Sequence, residues 1–224
     1  MAELPVVMEL PGVGARIEAA LQQFQQHQAD QPFLTRCLAL IGQVEEWKYS
    51  TGPLYDLPPY QMQLMGFSGG KPLKKSFADL SAARAGGAYA SGFVGGRHVL
   101  TVDPAENLKL SPQVTQYDHE GDLARATITR QPALAVPVLS RPASLVGLGE
   151  TSWLDERRRL HIGVGSRGAF AVYLYRYDDA QRPRHVHLFS KGHTVQSDYE
   201  LHYDDAGNLS RVTDVLGHPV WPKR

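Results

Sequence analysis

The sequence predicts an α+β protein in which an N-terminal helical pair packs on a mostly antiparallel β-sheet built of hairpins. Residues 15–47 place apolar side chains at helical spacing. From Trp47 onward this period is lost, and glycine, proline, tyrosine and valine become frequent. The C-terminal third alternates apolar and polar residues in short runs, which is typical of a meander. We expect a single domain with a helical segment at 1–46, an irregular β region at 47–143 and a meander with repeats at 144–224.

Each predicted helix has its own set of apolar positions. The first set is Ile17, Ala20, Leu21 and Phe24, and the second is Leu34, Cys37, Leu38 and Ile41. The segment 30–32 interrupts the period between them. Asp30 can accept a hydrogen bond from a free amide of the second helix, and Pro32 in the first turn loses no hydrogen bond. We therefore expect two helices with a break at Asp30.

The balance of charges argues against several classes of function. Among 224 residues, 23 Lys and Arg oppose 23 Asp and Glu, so no net field would draw the protein to nucleic acid or to an anionic membrane. No window approaches the roughly 18 apolar residues that span a bilayer, and no basic region precedes an apolar core at the N-terminus. The single cysteine, Cys37, permits no internal disulfide and no cysteine-rich metal site. We expect a soluble, cytoplasmic protein without a cofactor.

The middle of the chain gives weaker signals. Residues 51–90 are rich in turn formers, and we expect strands near 60–67 and 88–94 with one candidate short helix at 76–86. The segment 131–150 carries three prolines, one of them inside an apolar run. Because proline has no amide hydrogen to donate, this segment is either an edge strand or a connection between two sheet regions.

The clearest strands come from alternation with a period of two. One face of a predicted strand carries Tyr173, Tyr175 and Tyr177, and the opposite face carries Val172, Leu174 and Arg176. Similar alternation follows at 184–189 and at 198–205, with turn-forming residues between the runs. Three successive strands of this kind predict the meander.

A short repeat marks the turns of this meander. The stretch "YDDAGNL" at 203–209 has looser copies at 117–123 and 177–183, and a faint one at 102–111. The tyrosine ends a strand, and the aspartate after it can accept backbone hydrogen bonds that close an Asx-type turn. Gly121 and Gly207 supply the positive φ that such turns need. Gln181 takes this position in the middle copy, which predicts another turn geometry or about 1 kcal/mol of strain.

The pattern Tyr-Asp-x-x-Gly-x-Leu resembles the YD repeats of bacterial Rhs-type proteins. The matching residues are Tyr203, Asp204, Gly207, Asn208 and Leu209, and in the earlier copy Tyr117, Asp118, Gly121 and Leu123. Rhs shells enclose a toxin with long arrays of such hairpins, for which this chain is too short. Short proteins with these hairpins are similar to the immunity proteins encoded beside polymorphic toxins, including toxins of type VI secretion. The resemblance implies a protein that binds one cognate toxin domain and occludes its active site.

Enzyme motifs fail in their sequence context. "GVGSRG" at 163–168 satisfies G-x-G-x-x-G, the pattern of dinucleotide-binding loops. The residues after it predict a strand, so the motif lacks the helix N-terminus that would bind a pyrophosphate. No serine sits in the strand-turn-helix pattern of a hydrolase nucleophile. Cys37 falls on the apolar side of its helix, His161 flanks a strand, and His193 belongs to a turn. We therefore predict a binding protein and not an enzyme.

The candidate partner-binding residues lie on the polar parts of the meander. They are Arg176, Arg182, Arg184, His185, His187, Glu200 and His202. Two other classes of function stay open, a small metal-dependent enzyme and a structural or adaptor module of a secretion system. The histidines at 185, 187 and 202 would supply the three nitrogens of a zinc site, but no obvious carboxylate orients them, so an exposed polar face is the simpler interpretation.

Overall fold

The computed structural model, which describes residues 7–55, 57–104, 111–135, 138–191 and 195–222, contains one antiparallel sheet. Its twelve described strands follow one another in chain order. They are β1 Glu46–Ser50, β2 Tyr89–Val94, β3 Arg97–Val102, β4 Gln113–Glu120, β5 Leu123–Arg130, β6 Ser144–Trp153, β7 Arg158–Gly165, β8 Phe170–Tyr177, β9 Pro183–Lys191, β10 Val195–Tyr203, β11 Leu209–Asp214 and β12 Pro219–Trp221. The described helices are α1 Val13–Gln28, α2 Gln31–Ala39, α3 Gln61–Leu64 and α4 Leu80–Ala85, with 3-10 turns at Val7–Glu9, Leu40–Gln43, Pro132–Leu134 and Ser166–Gly168. The protein is therefore of mixed α+β class, with two helices at its N-terminus.

The first helix packs on one face of the sheet, over β6 and β7. Its buried side chains Val13, Ile17 and Phe24 form one core with the inward side chains of these strands and of β8. The strand residues of this core are Leu145, Leu160, Ile162, Val164, Val172 and Leu174. The predicted break is present, since the Asp30 carboxylate accepts from the amide of Phe33 at 3.0 Å. Within the described residues, no helix has the length and apolar character to cross a membrane.

The opposite side of the sheet is a tyrosine face, which we define by Tyr173, Tyr175, Tyr177, Tyr199 and Tyr203. These rings pack with Val186, Leu201 and Val212, and Leu64 of α3 closes the cluster from above. The hydroxyl of the buried Tyr175 donates to the carbonyl of Pro59 at 2.9 Å. The alternation predicted for residues 172–177 is present, because Val172 and Leu174 contribute to the core under α1.

The region between residues 51 and 90 departs from prediction in one element. The expected strand at 60–67 is wrong, because Gln61–Leu64 forms α3 and covers the tyrosine face with Leu64, which is 3 % exposed. The strand expected at 88–94 is β2, and the short helix is α4, where the Asp79 carboxylate accepts from the amide of Ala82 at 2.7 Å. The described prolines of segment 131–150 lie in the connection from β5 to β6.

Three hairpin turns share one geometry. They connect β8 to β9, β10 to β11 and β11 to β12, and they begin at Asp178, Asp204 and Asp214. The amide of each aspartate donates to the carbonyl four residues ahead at 2.9–3.0 Å, and its carboxylate accepts from the amide of that residue at 2.8–3.0 Å. The third residue after the aspartate has positive φ, +57° at Gln181 and +83° at Gly207 and Gly217. The middle copy therefore keeps the geometry of the others, with glutamine in the left-handed region.

The copy of the repeat at 117–123 does not form this turn. Asp118 lies inside β4 opposite Arg125, and Gly121, with φ +58°, forms a two-residue connection with Asp122. Pairing of β4 with β5 continues past the aspartate, so its carboxylate has no turn to close. The turn at Asp214, in contrast, was not predicted, because threonine and not tyrosine precedes its aspartate. Most of the faint copy at 102–111 lies outside the described residues.

The packing of α1 predicts that truncation of Phe24 strongly lowers the stability of the protein. We expect Phe24→Ala to lower the free energy of unfolding by about 3–5 kcal/mol, because it empties a fully packed site between α1 and the sheet. Gln22→Ala, on the exposed side of the same helix, is the matched control and should change it by less than about 0.5 kcal/mol. Urea unfolding measures both values, and equal effects would contradict the described core.

The left-handed glutamine predicts a stabilising substitution. Gln181→Gly should raise the free energy of unfolding by about 0.5–1 kcal/mol, since glycine adopts φ near +57° without steric cost. The converse change, Gly207→Gln in the equivalent turn, should lower it by a similar amount. Thermal or urea unfolding tests the pair, and destabilisation by Gln181→Gly would show that the glutamine side chain has another stabilising role.

Candidate functional site

One part of the sheet carries a polar surface that the described helices leave open. It lies on the same side as α1, beyond the end of the helix, across β7 to β11. The strand register pairs Arg158 with Arg176, Arg176 with His185, His185 with Glu200, and His202 with Arg211. Since residues two apart along a strand share a face, these six side chains lie on one surface. We call it the basic face, defined by Arg158, Arg176, His185, Glu200, His202 and Arg211.

The six residues of the basic face include three arginines and one glutamate, although the chain has no net charge. Arg158 is paired with Asp155 at 2.6 Å, and Asp155 and Glu156 of the β6–β7 turn lie beside this surface. Arg176 and Arg211 form no ion pair with any described residue, and the Nε atom of Arg176 is buried without a hydrogen-bond partner. His185 and Arg211 are exposed. An open depression of about 830 Å³ lies where Arg158, Arg176 and His185 meet the β6–β7 turn.

His187 shares this side of the sheet but is not part of the exposed surface. It is 3 % exposed, and its Nδ1 lies 2.5 Å from the Oδ1 of Asp198 on the neighbouring strand. Its Nε2 is buried without a partner among the described residues. The prediction that His187 contributes to an exposed polar face is wrong, because a carboxylate that the sequence pattern did not reveal binds it inside the protein.

The histidines do not converge on a metal ion. The described residues contain no group of three or more His, Cys, Asp or Glu side chains that could hold one. His187 lies opposite Asp198, four positions along β10 from His202, which corresponds to about 13 Å. The Nε2 of His202 is already 3.0 Å from the Oγ1 of Thr213. His193 lies outside the described residues.

Arg182 and Arg184 lie away from the basic face. Their guanidinium groups stand 5.2 and 5.1 Å from the ring centroid of Tyr203, and both bind the carboxylate of Asp178. The backbone amide of Arg182, followed by the side chains of Arg184 and Arg182, lowers the pKa of Asp178 to about 2. The expectation that Arg184 shares a surface with His185 is wrong, because adjacent strand residues point to opposite faces and Arg184 lies over the ring of Tyr203.

The glycine-rich motif at 163–168 is divided between a strand and a turn. Gly163 and Gly165 belong to β7, residues 166–168 form a 3-10 turn, and β8 follows, so this segment offers no helix N-terminus. Cys37 is buried, and burial raises the pKa of its thiol, which makes it a core residue.

His161, which the sequence predicts to have a structural role, lies on β7. It is 3 % exposed on the tyrosine side of the sheet, and its Nδ1 lies 2.7 Å from the Oγ1 of Thr151. Burial lowers the pKa of His161 to about 3, with a smaller effect from the charge of Arg159. Glycines alternate on the adjoining strands in "VGLGE" and "HIGVG", and this period-two pattern is the sequence signal that marks a bare patch beside the histidine.

Comparison with known proteins adds no relative. No family model, no curated protein and no solved structure matches the chain. The function must therefore be inferred from the residues and their arrangement.

Burial of neutral His161 predicts a stability that falls in acid. The pKa of a histidine in the unfolded chain is near 6.5, and the folded value is about 3, so the folded state resists protonation. The free energy of unfolding should be highest above pH 6.5 and should fall as the pH drops from there towards 3. In His161→Gln this fall should be shallower, as measured by urea unfolding between about pH 7 and pH 4.5. Parallel curves for the two proteins would contradict a neutral buried imidazole.

Proposed function

We propose that the chain is an immunity protein, which binds a cognate bacterial toxin domain and occludes its active site through the basic face. The observation that carries this proposal is an open sheet surface with two arginines, Arg176 and Arg211, that lack ion-pair partners among the described residues. Unpaired arginines on a rigid sheet suit recognition of carboxylates on a protein partner.

The scaffold supports the same proposal. In the turns at Asp178, Asp204 and Asp214, the backbone groups form hydrogen bonds within the turn itself. These turns therefore hold neighbouring strands in register without contacts from the strand side chains. The repeat "YDDAGNL", which resembles the YD repeats of Rhs-type proteins, contains the aspartate of one of these turns. The strand residues between the turns are then free to contact a partner.

The arginines and histidines of the basic face indicate which kind of surface the toxin would use for binding. A stable interface needs about 800 Å² on each partner with anchors near its centre. A basic face of arginines and histidines fits an acidic patch on the toxin, such as the carboxylates around a metal-dependent or acid–base active site. Opposite charges would also accelerate encounter, although neither protein needs a large net charge.

The first test is protection of cells. A bacterial host that expresses the adjacent gene as a toxin should survive only when this chain is expressed with it. Toxicity that this chain does not relieve would refute an immunity role and would leave the structural or adaptor module as the better hypothesis.

The second test maps the contact. Arg211→Glu should weaken binding to the purified toxin domain at least about tenfold and should slow association, because it places a negative charge opposite the acidic patch. Lys74→Glu changes the charge equally at an exposed position outside the basic face and is the matched control. Calorimetry and stopped-flow binding give both quantities. Equal affinities of the two variants would exclude the basic face as the contact surface.

A further inference from the structure

A patch of bare backbone crosses the tyrosine side of β6 and β7. The register pairs Gly147 with Gly165 and Gly149 with Gly163. Their neighbours Leu148, Ile162 and Val164 pack towards α1, so all four glycines face the opposite side. Alanines flank the patch, with Ala126 opposite Gly149 and Ala171 opposite Gly163. We call the resulting depression of about 260 Å³ the glycine trench, defined by Gly147, Gly149, Gly163, Gly165, Ala126 and Ala171.

The walls of the trench are mainly apolar, with polar groups from His161, Gln61 and Ser190. Ile128 lies on β5, and Leu57 and Pro58 contribute from the loop before α3. The rings of Tyr173 and His161 meet edge to face, with centroids 5.7 Å apart. Among the lining residues only Lys191 carries a charge, and it stands at the rim with its Nζ over the ring of Phe170. The trench therefore suits a neutral, mainly apolar group.

His161 directs a ring edge into this trench. A Cβ at Gly149 would lie 3.0 Å from its Cε1, and a Cβ at Gly163 would lie 3.3 Å from its Nε2. Nδ1 is engaged by Thr151, whereas Nε2 has no hydrogen-bond partner among the described residues. Burial keeps the imidazole neutral, so Nε2 is either a donor or an acceptor, according to the tautomer. Nε2 therefore offers one hydrogen-bonding position to a group that enters the trench.

Packing explains only part of the glycine pattern. Side chains at Gly149 and Gly163 would press on His161, which accounts for these two residues. Gly165 has φ −147° and ψ −167°, which any residue adopts, and its Cβ would approach only the carbonyl of Val146 at 3.5 Å. Glycine weakens a strand interior, so its presence where a larger residue fits indicates that the space itself has a use.

We propose that the glycine trench is a socket for one tyrosine side chain of a protein partner, with its ring on the glycine floor and its hydroxyl bound to His161 Nε2. The volume lies below the roughly 300–1000 Å³ of small-molecule sites but accommodates a single aromatic anchor. Tyrosine combines an apolar ring with a hydroxyl that can reach His161 Nε2, which suits a mainly apolar trench, and it is a frequent anchor at interfaces. The trench and the basic face lie on opposite sides of the sheet, so this inference does not rest on the toxin being the partner.

Model compounds test the socket directly. We expect N-acetyl-L-tyrosinamide, added to the isotope-labelled full chain, to shift the amide resonances of Gly163 and Gly165 and the Cε1 proton of His161 in a saturable manner. A probe of this size should bind with a dissociation constant of about 1–10 mM. N-acetyl-L-phenylalaninamide, which lacks the hydroxyl, should bind at least about fivefold more weakly because it leaves Nε2 unpaired.

Two variants distinguish the contribution of the glycine floor of the trench from that of the hydrogen bond to His161 Nε2. Gly165→Val fills the floor and should abolish binding of both probes, whereas Ser210→Val, an equally β-branched change at an exposed strand position, should leave it intact. His161→Phe keeps a ring but removes the nitrogen, and the two probes should then bind equally. Absence of saturable shifts in the native chain would overturn the proposal, as would equal binding of the two probes to it. Tighter binding of N-acetyl-L-tryptophanamide would also overturn the assignment to tyrosine.

Discussion

The burial of β7 and β8 on both faces is the constraint on which the rest of this structure depends. Leu160, Ile162, Val172 and Leu174 pack under α1, while Tyr173 and Tyr175 pack on the other side under residues 57–64. A single antiparallel sheet has no core of its own, so it gains stability only where another layer covers it. One long helix and one loop provide this cover near the middle of the sheet.

The uncovered regions follow from this arrangement, and they are where function is proposed. Past the end of α1, the strands β9 to β11 carry polar side chains such as His185 and Arg211, which remain in solvent. On the other side, the loop that covers Tyr175 leaves the glycines of β6 and β7 bare at their far end. Because the strand residues alternate between the two sides, the same strands can hold a charged surface and an apolar trench without interference.

The turns and edges keep this extended sheet in register. An aspartate carboxylate closes each of the three equivalent hairpins, so each turn is held by hydrogen bonds between neighbouring residues. The outer edge of β1 is partly covered, since the amide of Thr51 donates to Lys71 at 3.0 Å and that of Leu73 to Tyr49 at 2.8 Å. At the other edge, Pro219 and Pro222 flank Trp221 and remove donors that another strand would need.

The sequence by itself determined the features whose cause is local. The break at Asp30, the alternation in β8 and the turn at Asp204 each follow from a few neighbouring residues that satisfy their own hydrogen bonds or share one face. Tertiary structure decided what depends on distant partners. Gln61–Leu64 is helical because Leu64 covers the tyrosine face, and His187 is buried because register brings Asp198 opposite it. The glycines form a trench only because antiparallel pairing aligns them beside His161, which no single stretch of sequence can specify.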